Sequence, residues 1–304
     1  MAAFVDWENP YSACKGYWLR GNLHTHSAPA SPCGHLPVHE VLAAYTRAGF
    51  DFLALSDHMT VTEITDAPLL LLAGMEWNST DGQHTGVYAC EGAKVALACK
   101  EVEQKELLLH LAGDDTLVIL NHPNWQLRPH YRREELLAAK PYDGLEIYNG
   151  LIRRLDGFEL ATEQWDFLLS HGRRVWGFAS DDAHEARDVG QAWMMVHAAE
   201  HTPAALLAAM KRGDCYGSTG VDINAIHREN DRITVETHNG QEIWVQGWGG
   251  RLLARADDHS LTFASDAGDS PYIRFTIYGR GSAMAWTQPF FIETEDSCRN
   301  NCCI

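Results

Sequence analysis

The chain has 304 residues, 45% of them hydrophobic, and a formal net charge of -17. Its length and hydrophobic content are enough for one large domain, or for a large domain with a small appendage. A protein that coats nucleic acid is expected to be basic, so the acidic balance disfavours that class. No apolar run approaches the roughly 20 residues of a membrane span, and the N-terminus lacks the basic and apolar segments of a secretory signal, so we expect a cytoplasmic protein with no membrane partner.

Helical and strand-like segments alternate over the first two thirds of the chain. The predicted helices are 36–50, 103–113, 133–140, 161–172 and 202–214, and the predicted strands are 51–58, 67–79, 115–125, 143–150 and 173–184. In the last helix, Thr202 is the expected N-cap and Pro203 the first helical residue. This alternation predicts an α/β fold with a parallel sheet.

The pattern changes after about residue 222. Short β-like runs are separated there by turn sequences such as NG and GWGG, which is typical of antiparallel strands joined by hairpins. We therefore predict a large α/β domain over residues 1–222, a small antiparallel β domain over 223–294 and a tail over 295–304.

Side chains that can bind metal gather where the predicted strands end. They are His24, His26, Asp57, His58, Glu76, His84, His122, Asp182 and His184. In a closed barrel the carboxyl ends of the strands share one face, where active sites lie. Residues i and i+2 of a strand point the same way, so a His-x-His or Asp-x-His pair can direct two ligands into one cavity. Imidazole suits Zn, Mn or Fe, and carboxylates can bridge two ions.

Five of these segments, NLHTHS, ALSDH, GMEW, LNHP and SDDAH, resemble the ordered motifs of the polymerase-and-histidinol-phosphatase (PHP) domain over about residues 18–222. Three further segments resemble a stand-alone branch of this family that includes carbaryl-hydrolase-like proteins: the lead-in NPYSACKGYWLRGNLHTHS, the later GDCYGSTG and the ending AWTQPFFIE. The resemblance implies a distorted seven-stranded (β/α) TIM-like barrel that holds two or three divalent ions of Zn, Mn or Fe.

Matched motif by motif, the resemblance also implies the ligand set. The implied ligands are His24, His26, His58, Glu76, His84, His122, Asp182 and His184, with Glu76 bridging two ions. For His84 the alternative is a histidine that only makes hydrogen bonds. Asp57 is expected to orient a ligand histidine rather than to bind metal. Where the family usually has Asp, this chain has Cys33, which is either a soft ligand or a small buried residue.

The function implied by the resemblance is that of a metal-dependent phosphoesterase, which attacks a small organic phosphate with a metal-bridging hydroxide. Asp182 would orient or deprotonate the attacking water, and His184 would assist the leaving oxygen. The expected substrate-binding residues are Arg153, Arg154, Arg187 and Asn149. Two alternatives stay open: a carbamate, ester or amide hydrolase that uses the same metals, and a metal-binding module without activity. The sequence does not determine the substrate, the metal or the oligomeric state.

Overall fold

The computed structural model describes residues 6–11, 15–126, 130–229, 231–264 and 268–293; the predicted tail lies outside them. The strands are β1 Asp6–Glu8, β2 Tyr17–Asn22, β3 Phe52–Leu55, β4 Leu70–Asn78, β5 His84–Ala89, β6 Thr116–Leu120, β7 Gly144–Asn149, β8 Trp176–Ser180, β9 Trp193–Ala198, β10 Cys215–Ser218, β11 Ile223–Glu229, β12 Arg232–Thr237, β13 Gly240–Gly247, β14 Arg251–Ala256, β15 Ser260–Ala264, β16 Tyr272–Gly279, β17 Met284–Thr287 and β18 Phe290–Glu293. The α-helices are α1 Val38–Arg47, α2 Gly92–Val95, α3 Gln104–Leu111, α4 Arg133–Ala138, α5 Thr162–Ser170 and α6 Pro203–Arg212. Within the described residues, no helix has the length and apolar character needed to cross a lipid bilayer.

The helices and strands predicted before residue 222 are all present, with ends shifted by a few residues. Helix α6 begins as predicted. The Thr202 side chain accepts a hydrogen bond from the Ala205 N–H at 3.2 Å, and Pro203 is the first helical residue. The helix ends at Gly213, whose φ of +80° is a conformation that glycine adopts without a steric cost.

Strands β2 to β8 lie side by side in chain order. Strands β2, β3 and β4 are parallel, and so are β6, β7 and β8. Strand β5, however, runs antiparallel to both β4 and β6, which corrects the prediction of a sheet that is parallel throughout. The physical reason is the turn at residues 79–83 that joins β4 to β5, because a parallel crossover needs about a dozen residues or more.

The carboxyl ends of β2 and β8, the outer strands of this run, come together just beyond the strands themselves. Thr25 and Ala183 form a parallel bridge, and the His26 N–H donates to the Ala183 carbonyl at 2.9 Å. The residues that follow β2 and the residues that follow β8 are therefore neighbours. This contact brings the His24/His26 segment beside the Asp182/His184 segment.

The C-terminal strands are antiparallel, as predicted. Strands β11, β12 and β15 form a separate three-stranded sheet, while β13, β14, β16, β17 and β18 continue the large sheet through the pairing of β17 with β10. The fold is thus mixed α/β, with a central run of strands, β2 to β8, that is mostly parallel, plus an antiparallel β region. The domain boundary at residue 222 stays a prediction, and the β10–β17 pairing crosses it.

A buried ion pair joins the antiparallel region to helix α5. Arg274, on β16, donates to both oxygens of Asp166, on α5, at 2.8 and 2.6 Å. The Tyr272 hydroxyl also donates to Asp166, at 2.8 Å. Arg274 is 1% exposed and Asp166 4% exposed, so neither charge has water as an alternative partner.

Replacing Arg274 by Met is expected to lower the free energy of unfolding by about 3–5 kcal/mol, because the Asp166 carboxylate would stay buried without its partner. Urea unfolding measures the loss. The double variant Arg274→Met/Asp166→Leu should recover most of it, since removing both charges removes the desolvation cost. As a control, Arg255→Met removes an arginine that is 54% exposed, and a similar loss there would contradict the argument.

Candidate metal centre

The carboxylate of Glu76, on β4, lies at the centre of a histidine cluster and is 1% exposed. Its Oε1 lies 3.2 Å from His24 Nε2, 3.2 Å from His84 Nδ1 and 3.1 Å from His122 Nε2. Its Oε2 lies 3.4 Å from His26 Nε2 and 3.3 Å from His58 Nδ1. Each oxygen thus faces its own group of histidines. This is the arrangement expected of a carboxylate that bridges two cations.

Asp182 faces the same cluster from the end of β8. Its Oδ1 lies 3.2 Å from the Nε2 atoms of both His24 and His26. These three atoms are buried and make no hydrogen bond within the described structure. A buried polar atom without a partner costs roughly 1–3 kcal/mol, so three that converge form a set of ligands for a divalent cation. The residues present therefore fit a metal ion.

The backbone is strained where two of these side chains are presented. Asp182 has a φ of +52° and His122 a φ of +27°, values that are uncommon for residues other than glycine. Such conformations persist where surrounding contacts enforce them, and they concentrate at functional sites. For Asp182 one such contact is Asn149 Nδ2, which donates to its other oxygen, Oδ2, at 3.1 Å.

Glu146, inside β7, fixes the orientation of His24. Its Oε1 lies 3.0 Å from His24 Nδ1, and a carboxylate can only accept, so Nδ1 carries the proton. His24 Nε2 therefore keeps its lone pair directed at the cluster. This carboxylate–histidine pair is the usual support of a metal-binding histidine. Glu146 Oε2 also accepts from the His122 N–H at 2.7 Å.

Ser31 and Asp57 fix His26 in the same way. Asp57 accepts a hydrogen bond from Ser31 Oγ at 2.8 Å, and Ser31 Oγ lies 3.1 Å from His26 Nδ1. Because the serine proton goes to Asp57, the serine oxygen accepts from His26 Nδ1, and His26 Nε2 is left with its lone pair. Asp57 thus acts on His26 through Ser31 and does not face the cluster itself.

Asn78 contacts both His58 and His84 and determines which ring nitrogen of each carries the proton. Its Oδ1 lies 2.9 Å from His58 Nδ1, and its Nδ2 lies 2.6 Å from His84 Nε2. His58 therefore donates through Nδ1, which leaves Nε2 with its lone pair. His84 Nε2 accepts from the amide, which leaves the ring proton on Nδ1 beside Glu76. The ligand roles of His58 and His84 stay predictions, and His84 Nδ1 is buried without a hydrogen bond in the described structure, 3.2 Å from Glu76 Oε1.

The charges of the cluster are strongly coupled. Burial lowers the pKa of His26, but the carboxylates of Asp182 and Glu76 outweigh burial and raise it to about 9. Burial raises the pKa of Glu76, yet His84 and His24 hold it well below its usual range. Despite burial, the carboxylates also raise the pKa of His24, so without a metal ion protons on His24 and His26 balance the ionised carboxylates. A bound cation would displace those protons, so metal affinity should fall as the pH is lowered.

A cavity of about 200 Å³ opens over the cluster. It is lined by Cys33, His58, Glu76, His84, His122, Trp125, Leu151, Ile152, Leu155, Asp182 and His184. The ligand-capable side chains form one part of the lining, and Trp125 and the three aliphatic residues form another. No lysine or arginine is among these described lining residues.

None of the expected substrate-binding arginines is among the described residues that line this cavity, and each contacts a side chain of segment 185–191. Arg154 donates to both oxygens of Asp188, at 3.0 and 2.9 Å. Arg187 Nε lies 3.0 Å from Glu185, and Arg153 donates to Gln191 at 3.5 Å. Asn149, also predicted to bind substrate, is 1% exposed and donates to Glu146 and Asp182. The substrate-binding roles of these four residues stay predictions.

Cys33 lies close enough to the cluster to bind a metal ion. Its sulfur forms a group with one ring nitrogen each of His26 and His58, all within 4.8 Å of one another. Burial, together with Asp182 and Glu76, raises the pKa of the thiol to about 11. The thiol is therefore protonated unless a cation displaces the proton. Thiolate prefers Zn²⁺, whereas carboxylate oxygen suits Mn²⁺.

We expect Cys33→Asp to raise the Mn²⁺ retained after dialysis by up to about one ion per chain, because a hard oxygen would replace sulfur at this position. Zn²⁺ retention should not rise. Elemental analysis of protein loaded with either metal gives the ratio, and Cys90→Asp, at an exposed cysteine, is the matched control. An unchanged Mn²⁺ content would mean that position 33 does not bind metal.

Sequence reasoning missed four residues around the cluster: Glu146, Ser31, Asn78 and His130. His130 was given no role, yet one of its ring nitrogens lies within 4.8 Å of those of His84 and His122. Its Nε2 accepts from the His84 N–H at 3.2 Å. For Glu146 a signal was present, because it is a carboxylate in a strand whose residues are otherwise suited to burial.

The comparisons with known proteins agree with this geometry. A family model described as PHP-associated matches residues 170–215, a segment that contains β8 and α6 with Asp182 and His184 between them. A two-domain protein from Bacteroides vulgatus, described as containing a predicted PHP-like metal-dependent phosphoesterase, is similar over 93% of this chain and 90% of its own, with 13% identity and a TM-score of 0.52. That similarity establishes a shared fold.

A second solved structure, PsfC from Pseudomonas syringae, is similar over 63% of this chain and 87% of its own, with 12% identity and a TM-score of 0.46. Comparison with curated proteins gave no match. The carbaryl-hydrolase-like branch is not distinguished by any of these similarities and stays a prediction.

Proposed function

Because the family model and the shared fold support a PHP-domain protein, we propose that this chain is a metal-dependent hydrolase, and specifically a phosphoesterase that acts on a small organic phosphate. The observation that carries the proposal is the convergence of His24 Nε2, His26 Nε2 and Asp182 Oδ1, which are buried and without hydrogen bonds in the described structure. The proposal includes two or three divalent ions, and a distorted barrel formed by β2 to β8.

His24 and His122 would hold one ion, and His26 and His58 a second, with the carboxylates of Glu76 and Asp182 beside both groups. When bound, such ions lower the pKa of water and neutralise charge that develops on a phosphoryl or carbonyl oxygen. The groups that hold the ligands in place are Glu146, Ser31 and Asn149.

Asp182 and His184 are proposed to handle protons at the cavity. Asn149 holds Asp182 Oδ2, which leaves Oδ1 to bind a cation or to accept a proton from the attacking water. His184 Nδ1 lies 2.8 Å from the Asp182 carbonyl oxygen, and a carbonyl only accepts, so Nδ1 carries the ring proton. His184 Nε2 is therefore available to take a proton or, once protonated, to give one to the leaving oxygen.

One observation favours a second candidate, a carbamate, ester or amide hydrolase. The wall formed by Trp125, Leu151, Ile152 and Leu155 is apolar, and the described lining contains no arginine or lysine. A phosphate ester usually meets a guanidinium partner as well as metal. An uncharged ester or carbamate with an apolar substituent would need only the metals and the apolar wall.

A substrate panel on metal-reconstituted protein separates the two candidates. The panel contains an aryl phosphomonoester, an aryl phosphodiester, an aryl N-methylcarbamate and an aryl acetate, all with the same leaving group. We expect the highest kcat/KM on a phosphate ester, with competitive inhibition by inorganic phosphate. Hydrolysis of the carbamate or acetate without phosphoesterase activity would favour the second candidate. No hydrolysis by fully metal-loaded protein would instead indicate a metal-binding module.

A further inference from the structure

A second cleft lies between the large sheet and the three-stranded sheet, on the amino-terminal side of β2. It has a volume of about 360 Å³, and its lining includes Tyr11, Trp18, His197, Asp214 and the β11 segment 223–227. Trp18 lies near the start of β2 and His24 two residues beyond its end, so the cleft is roughly 20 Å from the metal centre. Nothing in the proposed hydrolysis uses these residues.

Asp214 is the unusual member of this lining. It is 1% exposed, and among the described residues none donates a hydrogen bond to either of its side-chain oxygens. The nearest basic groups are the imidazole of His197, with Nδ1 at 3.5 Å, and the guanidinium of Arg212, with Nη2 at 4.0 Å. A buried carboxylate is normally paired and hydrogen-bonded, so these longer contacts leave most of its hydrogen-bonding capacity unused.

The backbone holds Asp214 in this position. Its N–H donates to the Ala209 carbonyl at 2.9 Å, and its own carbonyl accepts from the His197 N–H at 2.9 Å. Helix α6 ends immediately before it, at Gly213. The carboxylate is therefore held at the end of a helix and beside a strand. A backbone rotation at Asp214 that exposed the carboxylate to water would break both of these backbone hydrogen bonds.

Trp18 supplies an aromatic surface beside this carboxylate. Its side chain is 41% exposed, and it packs on the His197 ring at a centroid distance of 5.0 Å and an interplanar angle of 28°. It also packs against Tyr216 at 5.3 Å, so the indole is held in place rather than free to move. The indole is the side chain that binds organic cations best through its π-face.

We propose that this cleft binds a small organic cation, an ammonium or guanidinium compound whose N–H groups donate to Asp214 while the Trp18 ring covers its face. An N–H donor fits the unused oxygens, and a positive charge fits the buried carboxylate. A cation with an apolar or planar body also fits an aromatic wall better than a strongly hydrated inorganic ion does. The site is separate from the metal centre and does not depend on the hydrolase proposal.

Isothermal titration calorimetry of the full chain with methylguanidinium chloride and with propylammonium chloride tests this site. We expect saturable binding of at least one probe with a Kd of about 1 mM or lower, and none with potassium chloride at the same ionic strength. Asp214→Asn should weaken binding by about tenfold or more, the effect of losing a charge-assisted hydrogen bond. Trp18→Leu should weaken it by about threefold or more. Glu200→Gln, which removes the charge of an exposed acid, should leave it unchanged.

Thermal unfolding gives an independent measure of Asp214. Without ligand, Asp214→Asn should raise Tm, because a buried charge with few partners is removed, while metal content and hydrolytic activity stay as in the parent protein. Absence of saturable binding for both probes would overturn the proposal. So would unchanged probe affinity in Asp214→Asn, and a lower Tm in that variant would then identify Asp214 as the internal partner of His197. If Asp214→Asn does not fold, Trp18→Leu decides, and unchanged affinity in that variant overturns the proposal.

Discussion

Replacing His24 or Asp182 by alanine is expected to lower kcat/KM by about 10³-fold or more, the scale of losing a group that stabilises developing charge. Each variant should also lose at least one metal ion per chain. The reason is geometric: Asp182 Oδ1 lies 3.2 Å from both His24 Nε2 and His26 Nε2, so either substitution removes an atom that faces the same point. Elemental analysis and turnover on the best substrate of the panel measure the two effects.

The control for this prediction is His39→Ala, which removes an exposed histidine on α1. It should change neither metal content nor turnover. Chelation of the parent protein should abolish activity, and Mn²⁺ or Zn²⁺ should restore it. Full hydrolysis by metal-free protein would refute the metal-dependent mechanism, and persistence of turnover in both alanine variants would make the cluster structural. Circular dichroism of each variant shows whether the fold is retained.

The position of the cluster could be predicted from the sequence because it depends on strand ends. His24 and His26 follow β2, His122 follows β6, and Asp182 follows β8, and the carboxyl ends of neighbouring parallel strands meet at one edge. A chain that alternates helix and strand must bring such residues together even when they are more than a hundred positions apart. The i, i+2 spacing also predicted that the side chains of His24 and His26 would point the same way, and the Nε2 atoms of both lie 3.2 Å from Asp182 Oδ1.

The groups that orient these ligands could not be predicted in the same way. Ser31 and Asn78 are short polar residues whose roles depend on which ring nitrogen they contact, and no spacing encodes that choice. Glu146 could have been found, because every residue of β7 is buried and a carboxylate in such a strand needs a partner. Strand β5 was missed because a short turn, rather than a helix, precedes it. The arginines were predicted to bind phosphate because they follow Asn149 and the Asp182/His184 segment in the chain. The pairing of Arg154 with Asp188 and of Arg187 with Glu185 could not be predicted from spacing.

Replacing Glu146 by glutamine is expected to weaken metal binding by about 10- to 100-fold, the usual effect of losing the carboxylate behind a metal-binding histidine. Glu146 Oε1 lies 3.0 Å from His24 Nδ1 and also accepts from the Ser180 hydroxyl, while Oε2 accepts from the His122 N–H and from Asn149 Nδ2. The amide of glutamine has one acceptor atom where the carboxylate has two. It also lacks the negative charge that makes His24 a more basic ligand.

Competition with a chelator of known affinity gives the metal dissociation constant of Glu146→Gln directly. Turnover should recover at high metal concentration, because the ligands themselves are intact, and that recovery separates Glu146 from His24 and Asp182. Glu106→Gln, which changes an exposed glutamate on α3, is the matched control and should bind metal as the parent protein does. Unchanged metal affinity in Glu146→Gln would show that the negative charge of Glu146 does not set the basicity of His24, since the glutamine oxygen can still accept from His24 Nδ1.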